Sequence, residues 1–444
     1  MLESTLPQAR LDQAEYCPDE LFEAGRILFE HEYTFADGLG SGLRRGDRPS
    51  PFRRVHSGRF GGPETISCTS CHWRGGLAGA GALQDNTFVL GTGDRVEEAD
   101  ARNPPPLHGV GVVELIAKEM TAQLHALRDD AIRRAREDQR SAEVVLLANG
   151  VSFGKLRVAA DGTVDTSQVE GVDPDLVIKP FGWKGTVATL RDFVAESAQV
   201  HFGMQSQHLL LTHGSERDLV GTSPDARDPD GDGVVDELTE GHLSALVSFL
   251  AMLELPVIRP HETLFLEPVA PGLPPPPAFV YDEHWARGQE LFRSLGCASC
   301  HVPAMVLKDP VYRTTSVQTG GTVEIDLSTT GESPRPAYDA ALGGYPVWVF
   351  SDFKRHDMGA KNEARRVDKG VAPREYLTRR LWGVANSDPY FHDGAAPWFD
   401  HAIAAHGGEA SEERDSFEGL SIEDRGALKV YLLSLRRDRR LLVP

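Results

Sequence analysis

The chain has 444 residues, enough for two or three domains with cores of their own. Its formal net charge of −20 argues against nucleic acid or an anionic membrane surface as a partner, and no apolar run reaches the roughly 18 residues that a membrane-spanning helix needs. Five cysteines, four of them in two C-x-x-C-H runs, leave no disulfide framework, and 44 glycines with 29 prolines imply many loops.

Met1 to Arg10 lacks an apolar stretch and does not read as a secretory leader. Cys17, outside both C-x-x-C-H runs, is expected as a free buried or half-buried thiol. A first helix is predicted over Pro18 to His31, with Phe22, Gly25, Leu28 and Phe29 at helical spacing. The same pattern returns at Trp285, Gly288, Leu291 and Phe292. An aromatic residue and a glycine on one stripe let a helix cross another closely, so the recurrence implies two domains of one fold.

A long Gly-, Arg- and Ser-rich insert follows the first helix and leads to Cys68-Thr69-Ser70-Cys71-His72. The second pattern runs almost directly into Cys297-Ala298-Ser299-Cys300-His301. This spacing lets two thiols form thioethers with one porphyrin edge while the histidine binds the iron. Zinc would need further ligands at its own spacing, and a redox dithiol would have no use for the histidine. Two covalently bound haem c groups are therefore expected, with Cys68, Cys71, Cys297 and Cys300 as attachment points and His72 and His301 as proximal ligands. Such attachment in bacteria takes place outside the cytoplasmic membrane, so the expected compartment is the periplasm.

Further along, a helix is predicted from Val112 to about Asp138, and residues 143–180 read as short strands around an Asn149-Gly150 turn. A turn and helix over Phe181 to Gln205 and a helix from about Glu240 to Leu253 complete the first half. Carboxylates at Asp228, Asp230, Asp232 and Asp236 with Gly233 resemble a calcium loop, although Thr239 stands where an EF-hand has its last glutamate. Residues 305–350 form an irregular, partly β-like insert. Ser421 to Arg436 reads as a closing helix with Ser421 as N-cap. The expected fold is mainly α, with two cytochrome c-like domains in tandem carrying loop-rich and small β insertions. The N-terminal domain spans 14–262, with an insert at 111–180 and the acidic loop at 228–240. A Pro-rich linker at 263–280 precedes the C-terminal domain at 281–444.

The stretch from Trp183 to Ser197 aligns with that from His392 to His406, pairing Gly185 with Gly394 and Ser197 with His406. His406 follows a helix and precedes Gly407-Gly408, which suits a sixth ligand on the second haem; Met358 is the rival. Ser197 is a poor iron ligand, so the first haem has an open face or draws a ligand from His108, His125, His201 or Met204. Trp183 is a candidate electron bridge, or else a core tryptophan.

The runs FEAGRILFEHEYTFADGLG, SCTSCH, RNPPPLHGVGVVELI, FGWKGTVATLRDFV, DPDGDGVVDEL, HDMG and FHDG with HGGEA together resemble the di-haem oxidoreductase family, relatives of di-haem cytochrome c peroxidases. The resemblance covers most of the chain. It implies a periplasmic redox protein in which the second haem takes electrons and Trp183 lies between the haems. In those relatives a glutamate directly precedes the position of Met204, where this chain has Gly203. His201, Glu196 and His108 are the candidates to move the proton instead. The expected function is a peroxidase-like enzyme in which a donor protein, a small cytochrome or cupredoxin with a basic surface, feeds haem 2, and haem 1 reduces hydrogen peroxide or another small oxidant. The alternative is a non-catalytic electron-transfer cytochrome with both irons six-coordinate.

Overall fold

The computed structural model describes residues 6–40, 63–89, 99–213, 227–228, 233–258 and 281–437. Its α-helices in chain order are α1 (Gln8–Asp12), α2 (Pro18–Glu30), α3 (Val110–Glu137), α4 (Leu190–Ser197), α5 (Gln207–His213) and α6 (Glu240–Ala251). These are followed by α7 (Tyr281–Ser294), α8 (Cys297–Cys300), α9 (Phe399–Ala404), α10 (Ser411–Glu418) and α11 (Ile422–Leu433). Among the described residues the strands form six sheets of two or three strands each. Helix is therefore interleaved with many small sheets, and the fold is mixed rather than simply α. The linker at 263–280 lies outside the described residues.

Helix α2 starts where Pro18 takes the first helical position and Asp19 and Glu20 face the positive helix end. The Cys17 sulfur accepts the Glu20 amide at 3.4 Å. Cys17 is thus an exposed cap and not the buried or half-buried thiol expected. The buried stripe is Leu21, Ala24, Gly25, Leu28 and Phe29. It packs on α6, and α7 packs on α11 in the same way. A Cβ on Gly25 would stand 2.1 Å from the Ala245 carbonyl oxygen, and one on Gly288 2.1 Å from that of Ala427. Both crossings therefore require glycine.

The second repeat is equally explicit. The bridge between Phe181 and Val187 has its counterpart between Tyr390 and Ala396. Gly185 and Gly394 both have positive φ, at 61° and 72°. Each turn delivers the chain into a short helix, α4 or α9.

Helix α3 buries its first two turns completely. The hairpin Ala142–Ala148 and Val151–Val158 packs against it. Met305, Leu307, Tyr312 and Val349, from the segment after the second C-x-x-C-H run, join the same core as α3 and α6. The Tyr312 hydroxyl donates to Glu114 Oε2 at 3.0 Å. The sequence boundary between the halves is thus not a boundary in the core.

At that junction Arg191 donates to Glu240 Oε2 at 2.7 Å, with side chains 6% and 0% exposed. Burial alone would favour a protonated Glu240. Bonds from His208 and Arg191 outweigh it and hold the carboxyl down to about 2, against an ordinary 4.5. The folded pKa is depressed, so this stabilisation is complete above about 4.5 and is lost as pH falls towards about 2. Urea midpoints measured through that window should fall steeply for the wild type and much less for Glu240→Gln. Parallel curves for the two proteins would contradict the assignment.

Candidate functional site

Two voids of similar size, about 260 Å³ beside Cys297–His301 and about 310 Å³ beside Cys68–His72, accompany the two C-x-x-C-H runs. The second pocket is floored by Cys297, Cys300 and His301 and the first by Cys68, Cys71 and His72. None of these cysteines is in a disulfide.

In the second pocket α8 carries both thiols on one turn and presents His301 just beyond it. Its Nδ1 donates to the Phe350 carbonyl at 3.3 Å. Across the void stands His406, past the end of α9, with Nδ1 donating to the Ala402 carbonyl at 2.8 Å. Both Nδ1 protons are engaged, so each ring presents its Nε2 lone pair. The ring centroids are 6.4 Å apart. That is the spacing required by one metal ion held between two ring nitrogens at about 2 Å each. Burial pushes His301 down to about 4 and lowers His406 as well, so both rings are neutral, the ligating form. Met358 lines the same void. Asn362 Nδ2 bonds both the Met358 and the Ala405 carbonyls, at 2.7 and 2.8 Å, and ties the two candidate segments together.

In the first pocket His72 Nδ1 donates to the Gly79 carbonyl at 3.1 Å, and burial pushes this ring to about 4. Ser197 occupies the place of His406, and its hydroxyl bonds back to the Phe193 carbonyl at 2.7 Å. Among the described residues no ring contact joins His72 to a second histidine. The wall instead contains Glu196, His201 and Met204. A wide helical turn over Ala198–Phe202 follows α4 and carries His201. His201 Nδ1 lies 2.6 Å from Glu64 Oε2. Glu64 comes from the insert before Cys68, and nothing in the sequence links it to a histidine so far along the chain. Glu196 is paired with Lys369.

Trp183, Pro104 and Pro105 line both voids and form part of the wall between them. The Trp183 indole N–H donates to the Asn103 carbonyl at 2.9 Å. Its ring stands edge-on to His392, its partner in the repeat, at 6.4 Å, and the Arg379 guanidinium lies 4.7 Å from its centroid. His108 and His125 line neither void. His108 is buried near Trp382 and Gly383, and His125 bonds the Asp175 carbonyl at 2.8 Å. Asp230 and Asp232 lie outside the described residues. Asp228 Oδ2 accepts the Gly233 amide at 3.2 Å. Asp236 is paired with Arg227, so a cation already neutralises that carboxylate.

Among the described residues several buried polar atoms around the voids have no hydrogen-bond partner: Arg380 Nε and Tyr376 Oη in the second, and Arg102 Nη2 in the first, which has only the Asp100 carboxylate at 3.9 Å. Burial disfavours the Arg379 and Arg380 cations. Apolar walls with arginine and phenol donors left over suit a flat apolar ligand bearing carboxylates, and haem, with its two propionates, is such a ligand. Sequence reasoning overlooked Arg379, Arg380 and Tyr376; the only signal was two adjacent cations in an acidic chain. Cys300, Asp352 and His356 also cluster, but this group uses a motif cysteine and belongs to the second pocket. Among the described residues no helix is long and apolar enough to cross a membrane.

Residues 277–435 match the family described as "Di-haem oxidoreductase, putative peroxidase". No curated protein matches the chain. Among solved structures, hydrazine synthase of Kuenenia stuttgartiensis is 15% identical, covering 97% of this chain and 93% of that one at a TM-score of 0.37. A MauG-like protein associated with microbial copper homeostasis is 12% identical, covering 94% and 88% at a TM-score of 0.36.

Proposed function

We propose that this chain, whose residues 277–435 match the di-haem oxidoreductase family, is a periplasmic peroxidase-like enzyme with two unequal c-type haem sites. Cys68 and Cys71 would hold one haem and Cys297 and Cys300 the other, in two cytochrome c-like units in tandem. Each haem, when bound, supplies an iron that exchanges single electrons.

The observation that carries the reading is the difference between the pockets. His301 and His406 face each other at 6.4 Å, whereas His72 faces a wall with Ser197 in the corresponding place. Two imidazoles saturate the second site and suit it to accept electrons without binding substrate. The first site keeps a face for a small oxidant. Arg379, Arg380 and Tyr376 would anchor propionates, and Trp183 fills the gap through which electrons pass. Reduction of one peroxide to two waters takes two electrons and two protons. The electrons come from a donor protein, a small cytochrome or cupredoxin whose basic face suits a chain of net charge −20.

The test is peroxide consumption by the holoprotein with a reduced donor, followed together with cyanide binding. Expected are turnover and one haem whose spectrum shifts with cyanide. Two ligand-inert haems and no peroxide loss would instead support an electron-transfer cytochrome. That rival rests on Met204, which lines the first pocket at 1% exposure and carries a sulfur able to ligate iron.

A further inference from the structure

Glu64 is an acid in a place that the fold has gone to some length to equip. Its side chain is only 4% exposed. A buried carboxylate is costly unless donors surround it. Here Oε1 takes the Phe88 amide at 2.9 Å, while Oε2 takes the Thr87 hydroxyl at 2.5 Å and lies 2.6 Å from His201 Nδ1. The backbone repeats the link in reverse, with the Glu64 amide donating to the His201 carbonyl at 2.8 Å. Glu64 and His201 are thus joined twice.

This pairing sets His201 apart from the three histidines assigned to iron. His72, His301 and His406 each give Nδ1 to a backbone carbonyl. His201, on the wall of the first void, gives it to a carboxylate instead. The acceptor fixes the proton on Nδ1 and leaves Nε2 as a lone pair. Among the described residues the second half has no counterpart of Glu64, because α7 ends only two residues before Cys297. Other charged groups around the void are Arg102, Asp368 and the Glu196–Lys369 pair.

We propose that Glu64 is the positioning residue of the first pocket, setting the tautomer and orientation of His201 so that Nε2 moves the substrate proton, in place of the glutamate that Gly203 displaces. The inference rests on the peroxidase-like reading and extends it to hydroperoxides as the substrate class. The O–O bond breaks as the donor supplies two electrons through Trp183. His201 Nε2 takes the proton from one peroxide oxygen and passes it to the other, which leaves as water or alcohol. Two further protons come from solvent with those two electrons, so that R–O–OH becomes R–OH and water.

The test uses the holoprotein and hydrogen cyanide, a ligand that must lose its proton to bind. Wild type, Glu64→Gln, His201→Gln and the double variant are compared for cyanide association rate and for the rate of reaction with hydrogen peroxide. Acid–base assistance of this kind is worth on the order of a hundredfold or more. Expected is a loss of about that size in both rates for Glu64→Gln, with an unchanged spin state of the first haem. The double variant should be no slower than His201→Gln, because the two residues act as one unit. Wild-type rates in Glu64→Gln, or losses that multiply in the double variant, would overturn the proposal. A wild-type protein that binds no cyanide at all would instead sink the open-haem reading on which it rests.

Discussion

Replacing His406 with alanine is expected to turn the second haem from low-spin to high-spin and leave the first haem unchanged. His406 is held by Nδ1 on the Ala402 carbonyl and stands opposite His301 at the separation that one shared ion requires. Alanine removes the nitrogen and opens the axial position without touching the thioethers or His301. Absorption and magnetic spectra of the variant would show one additional high-spin haem. His406→Met should restore a low-spin spectrum at a higher potential, because thioether ligation favours the reduced iron. A His406→Ala spectrum identical to the wild type would mean that Met358, on the same void, holds the iron instead.

The second large effect is on stability. Arg191→Ala is expected to cost about 3–5 kcal/mol, a substantial share of the roughly 5–15 kcal/mol that holds a typical domain folded. The guanidinium bonds Glu240, Ser244 Oγ at 3.0 Å and Thr314 Oγ1 at 3.2 Å. It therefore joins α4 and α6 to a segment that follows the second C-x-x-C-H run. Glu240 also accepts the Val317 amide at 2.9 Å, and His208 Nδ1 lies 3.6 Å from it. Removing the arginine strands a carboxylate in the interior. Removing both partners, as Arg191→Met with Glu240→Leu, should recover most of the loss, since apolar replacements of a buried pair are often neutral. Urea unfolding of the three proteins measures this. A single-variant loss below about 1 kcal/mol, the value of an exposed pair, would contradict the burial of the network.

Much of the frame is legible in the sequence because a few contacts tolerate only one residue type. Gly25 and Gly288 are fixed by backbone carbonyls 2.1 Å from where a Cβ would be, so the repeat survives around them. The C-x-x-C-H runs are local by chemistry. The aligned register that pairs Trp183 with His392 and Ser197 with His406 recurs in the two bridged turns and the short helices after them. What the sequence conceals is contact between distant segments. Glu64 meets His201 across a loop with no periodicity, and Arg191 finds Thr314 in the other half of the chain. His108 illustrates the opposite error. It is a candidate ligand of the first haem, yet Pro104 and Pro105 line the voids while His108 lines neither and is buried beside Gly383. Most of the small sheets come from inserts whose short strands pair with near neighbours in the chain or pack on α3, while Val257–Ile258 pairs with Leu435–Arg436 across the halves, so the sheets add β content without altering the helix pairs.

The inequality of the two pockets is the central claim, and electron paramagnetic resonance of the oxidised holoprotein tests it most directly. One low-spin haem from the His301–His406 site and one high-spin haem from the His72 site, in equal amounts, is the predicted spectrum. Two low-spin haems, neither of which changes when cyanide is added, would contradict it.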